Sequence, residues 1–131
     1  MTLLDTSVLV EAFGWAGRVH AQLRSAINNG VRLALCTPVV YEWLRGPRRP
    51  EELVAQEALL PATDAWPFGT DEALLAAELY RRLSRPRHRE TDLAIAACAV
   101  VRNAGLWTLN PGDFDDVPGL ALYHPPSIEE R

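Results

Sequence analysis

Nine consecutive apolar residues, Leu93 to Val101, follow Asp92 in the stretch "TDLAIAACAVV". A helix that is apolar all round has no face to offer water and belongs inside a domain, with structure on every side of it. Nine residues are far too few for a membrane span, and no other run in the chain approaches one. The chain therefore has to build layers around this segment, and its 131 residues, 48% of them hydrophobic, suffice for one such core without disulfide staples. The apolar run also makes its own first turn conspicuous. Asp92 shares a face with Ile95 and Ala96 by i,i+3 and i,i+4 spacing, so a carboxylate stands at the mouth of a buried helix. The helix dipole favours an anion there, whether for structure or for a ligand.

What surrounds that helix reads as short strands alternating with helices. "TLLD" is a very short buried strand, Thr2 to Leu4, followed by a helix from about Thr6 that Asp5 or Thr6 can cap. "RVHAQLRSAINNG" is an amphipathic helix with Val19, Leu23 and Ile27 on one stripe and Gly30 as its stop. "RLALC" is a second strand. "TPVVYEWLRG" starts a helix with Thr37 as N-cap and Pro38 at the first helical position, and Gly46 ends it. Val39, Val40, Trp43 and Leu44 form its apolar face. Further helices are expected at "PEELVAQEALL", at "TDEALLAAELYRRL" behind Thr70, and from Thr91 to a stop at Gly105. Strands are expected at "LWTL" and "LALYH", weakly near Ala65–Trp66, and "NPGDFDDVPG" is a turn-rich loop. The pattern is that of an α/β domain with a mostly parallel sheet, one domain over residues 1–131, with no repeat and no linker.

In open parallel sheets, ligands bind beyond the C-terminal ends of the strands. Asp5 follows the first strand directly, and Asn110, Asp113, Asp115 and Asp116 follow "LWTL". Glu42 lies one turn from Val39, in a helix that itself begins just after a strand. Singly, each acid has an ordinary explanation as a cap, a boundary residue or a solvated turn. Gathered on one edge they repel one another, and a hard divalent cation such as Mg2+ or Mn2+ relieves that repulsion. A zinc site is not expected, because His20, His88 and His124 are scattered and the two cysteines, Cys36 and Cys98, lie in apolar runs as buried thiols. No Walker motif, dinucleotide fingerprint or nucleophile elbow is present.

The net charge of -4 argues against a general nucleic-acid coat. Yet the chain holds no lysine, and eight of its thirteen arginines border the proposed acids. Arg81, Arg82, Arg85, Arg87 and Arg89 lead into Asp92, and Arg45, Arg48 and Arg49 follow Glu42. Guanidinium groups suit phosphate recognition, which positions a backbone without reading its sequence. A phosphodiester substrate is the reading we favour over solvated helix ends. The N-terminus carries neither a positive n-region nor a long apolar stretch, so no signal peptide and a cytoplasmic location are expected.

Taken in order, these segments resemble a PIN domain, specifically the VapC-type toxin ribonucleases of bacterial toxin–antitoxin pairs. "LLDTSVLVE" resembles the opening strand with its first acid, here Asp5, followed by the hydroxyl residue Thr6. "TPVVYEWLRG" resembles the second motif, with Glu42, and "ALLAAELYRRL" the long helix before the third. "TDLAIAACAV" is similar to the third motif and places its acid at Asp92. "LWTLNPGDF" is similar to the fourth, with Thr108, Asn110 and Asp113; any of Asn110, Asp113 and Asp115 could fill that motif's site position.

The resemblance implies a three-layer α/β/α sandwich and an endoribonuclease dependent on Mg2+ or Mn2+, usually a homodimer and silenced by a cognate antitoxin. Asp5, Glu42, Asp92 and Asp113 would hold the metal, Thr6, Thr108 and Asn110 would support them, and Arg45, Arg81, Arg85, Arg87 and Arg89 would hold RNA. The alternatives are a catalytically weak binding module of the same fold, or an RNA-processing or DNA nuclease outside toxin–antitoxin systems.

Overall fold

The computed structural model describes residues 1–14 and 17–127. Four strands form one sheet: β1 (Thr2–Leu4), β2 (Leu33–Ala34), β3 (Gly105–Trp107) and β4 (Ala121–Leu122). Their order is β2-β1-β3-β4 and every pairing is parallel, with Leu3 opposite both Ala34 and Leu106. Helices flank the sheet: α1 (Thr6–Gly14), α2 (Arg18–Asn28), α3 (Thr37–Arg45), α4 (Pro50–Leu59), α5 (Thr70–Arg82) and α6 (Glu90–Val101). α1 packs on α2, α3 and α4, and α6 packs on α5, α3 and β3.

The apolar run is buried over most of its length, although Val101 at its end is exposed. Leu93 and the whole stretch from Ile95 to Ala99 are buried in α6. They meet Leu3, Leu4, Val8, Leu9, Trp43 and Leu106 in one continuous core. β1 is buried along its length because it lies between two strands, which is why three residues are enough to hold it. Pro38 and Pro50 sit at helix starts, where the missing N–H is no loss, and Gly46 and the left-handed Gly30 (φ 81°) stand beyond helix ends. Trp43 spans α3 and α4 by donating its indole N–H to Gln56 at 3.2 Å. No helix of the described residues is long and apolar enough to cross a membrane.

Local pattern misleads at several places. Thr37, Thr70 and Thr91 are not N-caps: the flanking positions are Cys36, Gly69 and Arg89. Thr37 Oγ1 instead accepts the backbone N–H of Phe68, which belongs to a distant segment. At α5 the start is satisfied in reverse, with Glu72 accepting the N–H of Gly69 at 3.0 Å. α6 does not run to Gly105, which belongs to β3; Asn103 takes the left-handed turn after the helix (φ 53°). Ile27 and Leu44 are exposed, and Ala26 fills the α2 core position next to Leu23. The weak strand near Ala65–Trp66 is a single parallel bridge between Cys36 and Trp66.

Candidate active site

The chain passes from β1 to β2 on one side and places β3 and β4 on the other, so the strand order reverses between β1 and β3. A crevice opens at such a reversal, beyond the carboxyl ends of the two strands. Asp5 is the residue after β1 and Thr108 the residue after β3. The Asp5 N–H continues the sheet by donating to the Trp107 carbonyl at 2.9 Å. Both side chains are thereby delivered to the switch point by backbone pairing alone.

Asp5 is only 6% exposed, and a buried carboxylate needs donors. Its Oδ2 accepts the hydroxyl of Ser7 at 2.8 Å and that of Thr108 at 2.7 Å. Each hydroxyl is itself used a second time: Ser7 Oγ accepts the N–H of Leu109, and Thr108 Oγ1 accepts the N–H of Asn110, both at 3.0 Å. The carboxylate, the first turn of α1 and the start of the 108–116 loop thus form one connected network. On the other side of Asp5, Thr6 donates its hydroxyl to Glu42 Oε1 at 2.7 Å, holding α3 to α1, and Arg45 lies 3.6 Å from the second oxygen of Glu42.

Asp92 enters from the first turn of α6. Burial pushes its carboxyl up to about 6, and the charges of Asp5, Asp113 and Glu42 push the same way, opposed by Arg89. Three carboxylates from separate parts of the chain thus bear on Asp92 at this edge. Asp113 ends a short 3₁₀ turn, Pro111–Asp113, in the loop after β3 and is exposed. Asn110 and Asp115 are exposed as well, and neither figures among the charges and hydrogen bonds that act on Asp92 or Asp5.

The donor set suits a hard divalent cation: it is all carboxylate oxygen, crowded and under-neutralised. Among the described residues no three acidic, histidine or cysteine side chains close around a single point. That spacing fits an ion carried by one or two carboxylates that keeps several waters, with the other acids acting through those waters, as Mg2+ prefers.

The arginines divide. Arg81, in the last turn of α5, and Arg85 and Arg87, between α5 and α6, are exposed, and Arg82 pairs with Glu78 at 3.1 Å. Arg89 is turned inward, with its guanidinium on the acidic loop. Ser7 had not stood out among the candidate residues, although its role has a sequence signal: a hydroxyl two residues after a strand-end aspartate can fold back on it. The Arg89–Asp116 pair, 27 residues apart, carries no such signal.

The model of the PIN domain family matches residues 2–120 of the chain. The chain is 36% identical over 124 residues to proteins named Ribonuclease VapC19 in two strains of Mycobacterium tuberculosis, covering 92% of this chain and 97% of theirs. Its fold is similar to VapBC2 of Rickettsia felis, solved bound to a promoter DNA fragment, with a TM-score of 0.72 and 24% identity over 93% of this chain and 96% of that one. It is similar also to FitAcB of Neisseria gonorrhoeae, with a TM-score of 0.70 and 25% identity over 95% and 98% of the two chains.

Proposed function

The chain belongs to the PIN domain family, and from that premise we propose that it is a Mg2+- or Mn2+-dependent endoribonuclease, the toxin of a type II toxin–antitoxin pair neutralised by a cognate antitoxin. The observation that carries this reading is the gathering of Asp92 with Asp5, Asp113 and Glu42 at the switch point of the sheet. A protein with no use for a cation has little reason to bring four acids from four elements to one crevice. The ribonuclease relatives, matched over nearly their whole length, point to RNA as the polymer.

In this reading Asp5 and Asp92 hold the ion, with Glu42 and Asp113 completing its surroundings directly or through water. The ion, when bound, lowers the pKa of a coordinated water and offsets charge on the phosphate. The remaining work is the chain's own. Ser7 and Thr108 fix the rotamer of Asp5, and Thr6 fixes Glu42. Asn110 borders the crevice where the strand would pass, and Arg45, Arg81, Arg85 and Arg87 hold phosphates on either side of the cut. We propose further that residues 1–131 act as one domain, as a homodimer, in the cytoplasm.

The test is incubation of the purified protein with total RNA in Mg2+, in Mn2+ and in EDTA. Cleavage should require the cation and should disappear in Asp5→Asn. Cleavage that persists in EDTA overturns metal dependence. Absence of cleavage under all conditions favours a binding module.

A further inference from the structure

Arg89 is the one arginine of the 81–89 run whose guanidinium is spent on several described partners at once. It occupies the position before α6, three residues ahead of Asp92, and its side chain is 16% exposed. Nη1 and Nη2 grip Asp116 as a two-pronged fork, at 2.9 Å to Oδ2 and 2.6 Å to Oδ1. Nη2 also donates to the backbone carbonyl of Asp113 at 2.9 Å, and Nη1 to that of Arg85 at 3.2 Å. His88, immediately before it, adopts a left-handed backbone (φ 65°), a turn that few non-glycine residues take. The side chain therefore joins the turn after α5, the start of α6 and the loop that carries Asp113.

That loop has two polar anchors, besides the buried side chains of Phe114 and Val117. At one end the Asn110 N–H is held by Thr108, which itself holds Asp5. At the other end Arg89 takes hold of Asp116 and the Asp113 carbonyl. Between the anchors lies the exposed Asp113 carboxylate. Phe114 and Val117 root the loop in the core and the Asp113 N–H bonds the Asn110 carbonyl, so what the second polar anchor adds is the direction of the exposed turn at Asp113. An isolated exposed ion pair contributes little to stability, but a bidentate arginine fork fixes direction as well as distance, even with Asp116 itself at the surface. A carboxylate that must meet Asp92 across a cation needs that fixed direction.

We infer that Arg89 is a positioning residue: by clasping Asp116 and the Asp113 backbone it aims the Asp113 carboxylate at Asp92, and it acts through the loop instead of on RNA. The inference rests on the nuclease reading, so its test separates the two. In the metal-free protein, amide hydrogen exchange across residues 110–117 should accelerate about tenfold in Asp116→Asn and in Arg89→Lys, because lysine keeps the charge and loses the fork. Calorimetric Mn2+ binding, without RNA, should weaken about tenfold in both variants, the usual scale for a group that orients a metal ligand. The kcat should fall in step and recover as Mn2+ is raised, while RNA affinity in EDTA stays within about twofold of wild type.

Normal Mn2+ binding by wild type and equally by Asp116→Asn overturns the positioning role alone. Unchanged Mn2+ binding with weakened RNA affinity in Arg89→Lys makes Arg89 an RNA contact and overturns it too. A wild-type protein that binds no Mn2+ overturns both this inference and the metal-dependent reading beneath it.

Discussion

The acidic edge has two unlike halves. On the β1 side, Asp5 is buried and held, with two hydroxyl donors on one oxygen and each hydroxyl tied to a backbone N–H. On the α6 side, no described residue donates a hydrogen bond to the Asp92 carboxylate, and three other acids press on it. The same functional group is therefore held in one place by its neighbours and held against its neighbours in the other. The first arrangement gives geometry. The second leaves a charge that Arg89 offsets only in part.

If this division is real, the two halves should respond oppositely. Asp5→Asn and Asp92→Asn should both reduce RNA cleavage by at least about 100-fold, or about 2.7 kcal/mol in transition-state terms. Single-turnover cleavage of a defined RNA measures it, and either variant cutting at the wild-type rate breaks the common site. The next largest effect is on stability at the engaged half. Thr108→Val strips a donor from Asp5 and an acceptor from Asn110, so denaturant titration should show a loss of about 1–3 kcal/mol.

The crowded half should move the other way. Folding raises the Asp92 carboxyl from 3.8 to about 6, so the folded chain binds that proton more tightly than the unfolded one. Its stabilising contribution is complete below about pH 4 and is lost as pH rises through about 6. In EDTA at pH 8, Asp92→Asn should therefore be more stable than wild type by about 1–2 kcal/mol, after discounting for solvent screening at a half-buried group. Thermal melts should show the gap closing toward pH 4. A variant less stable than wild type at pH 8 would erase the contrast between the halves. The smallest effect belongs to the exposed arginines: Arg85→Ala should weaken RNA binding a few-fold and reduce the slope of log affinity against log salt by about 0.7, with no change in melting temperature.

Much of this was legible in the sequence, and the gaps have physical causes. The α6 run and β1 declared themselves because burial on all sides leaves an unbroken apolar signature, and Pro38, Pro50 and Gly46 marked helix ends through backbone chemistry that neighbours cannot override. Thr37 was misread as a cap because its hydroxyl answers a partner 31 residues away. Leu44 and Ile27 continued an apolar stripe that the packed neighbours do not cover. At the site, Asp5 and Asp113 could be placed by their position after strands and Glu42 and Asp92 by their helices, but the clasp of Arg89 on Asp116 depends on how two loops meet.

The pairing of β1 with β3 bears on when the protein becomes active. Asp5 leaves the ribosome well ahead of its partners: Thr108, the strand that aligns it and the loop bearing Asp113 are synthesised about a hundred residues later. At about 5–20 residues per second that interval is on the order of 5–20 seconds. Until it has passed, the crevice lacks one of its walls. A nascent or prematurely terminated chain of this protein is thus born inert, and the potential to cut arrives only with the finished sheet.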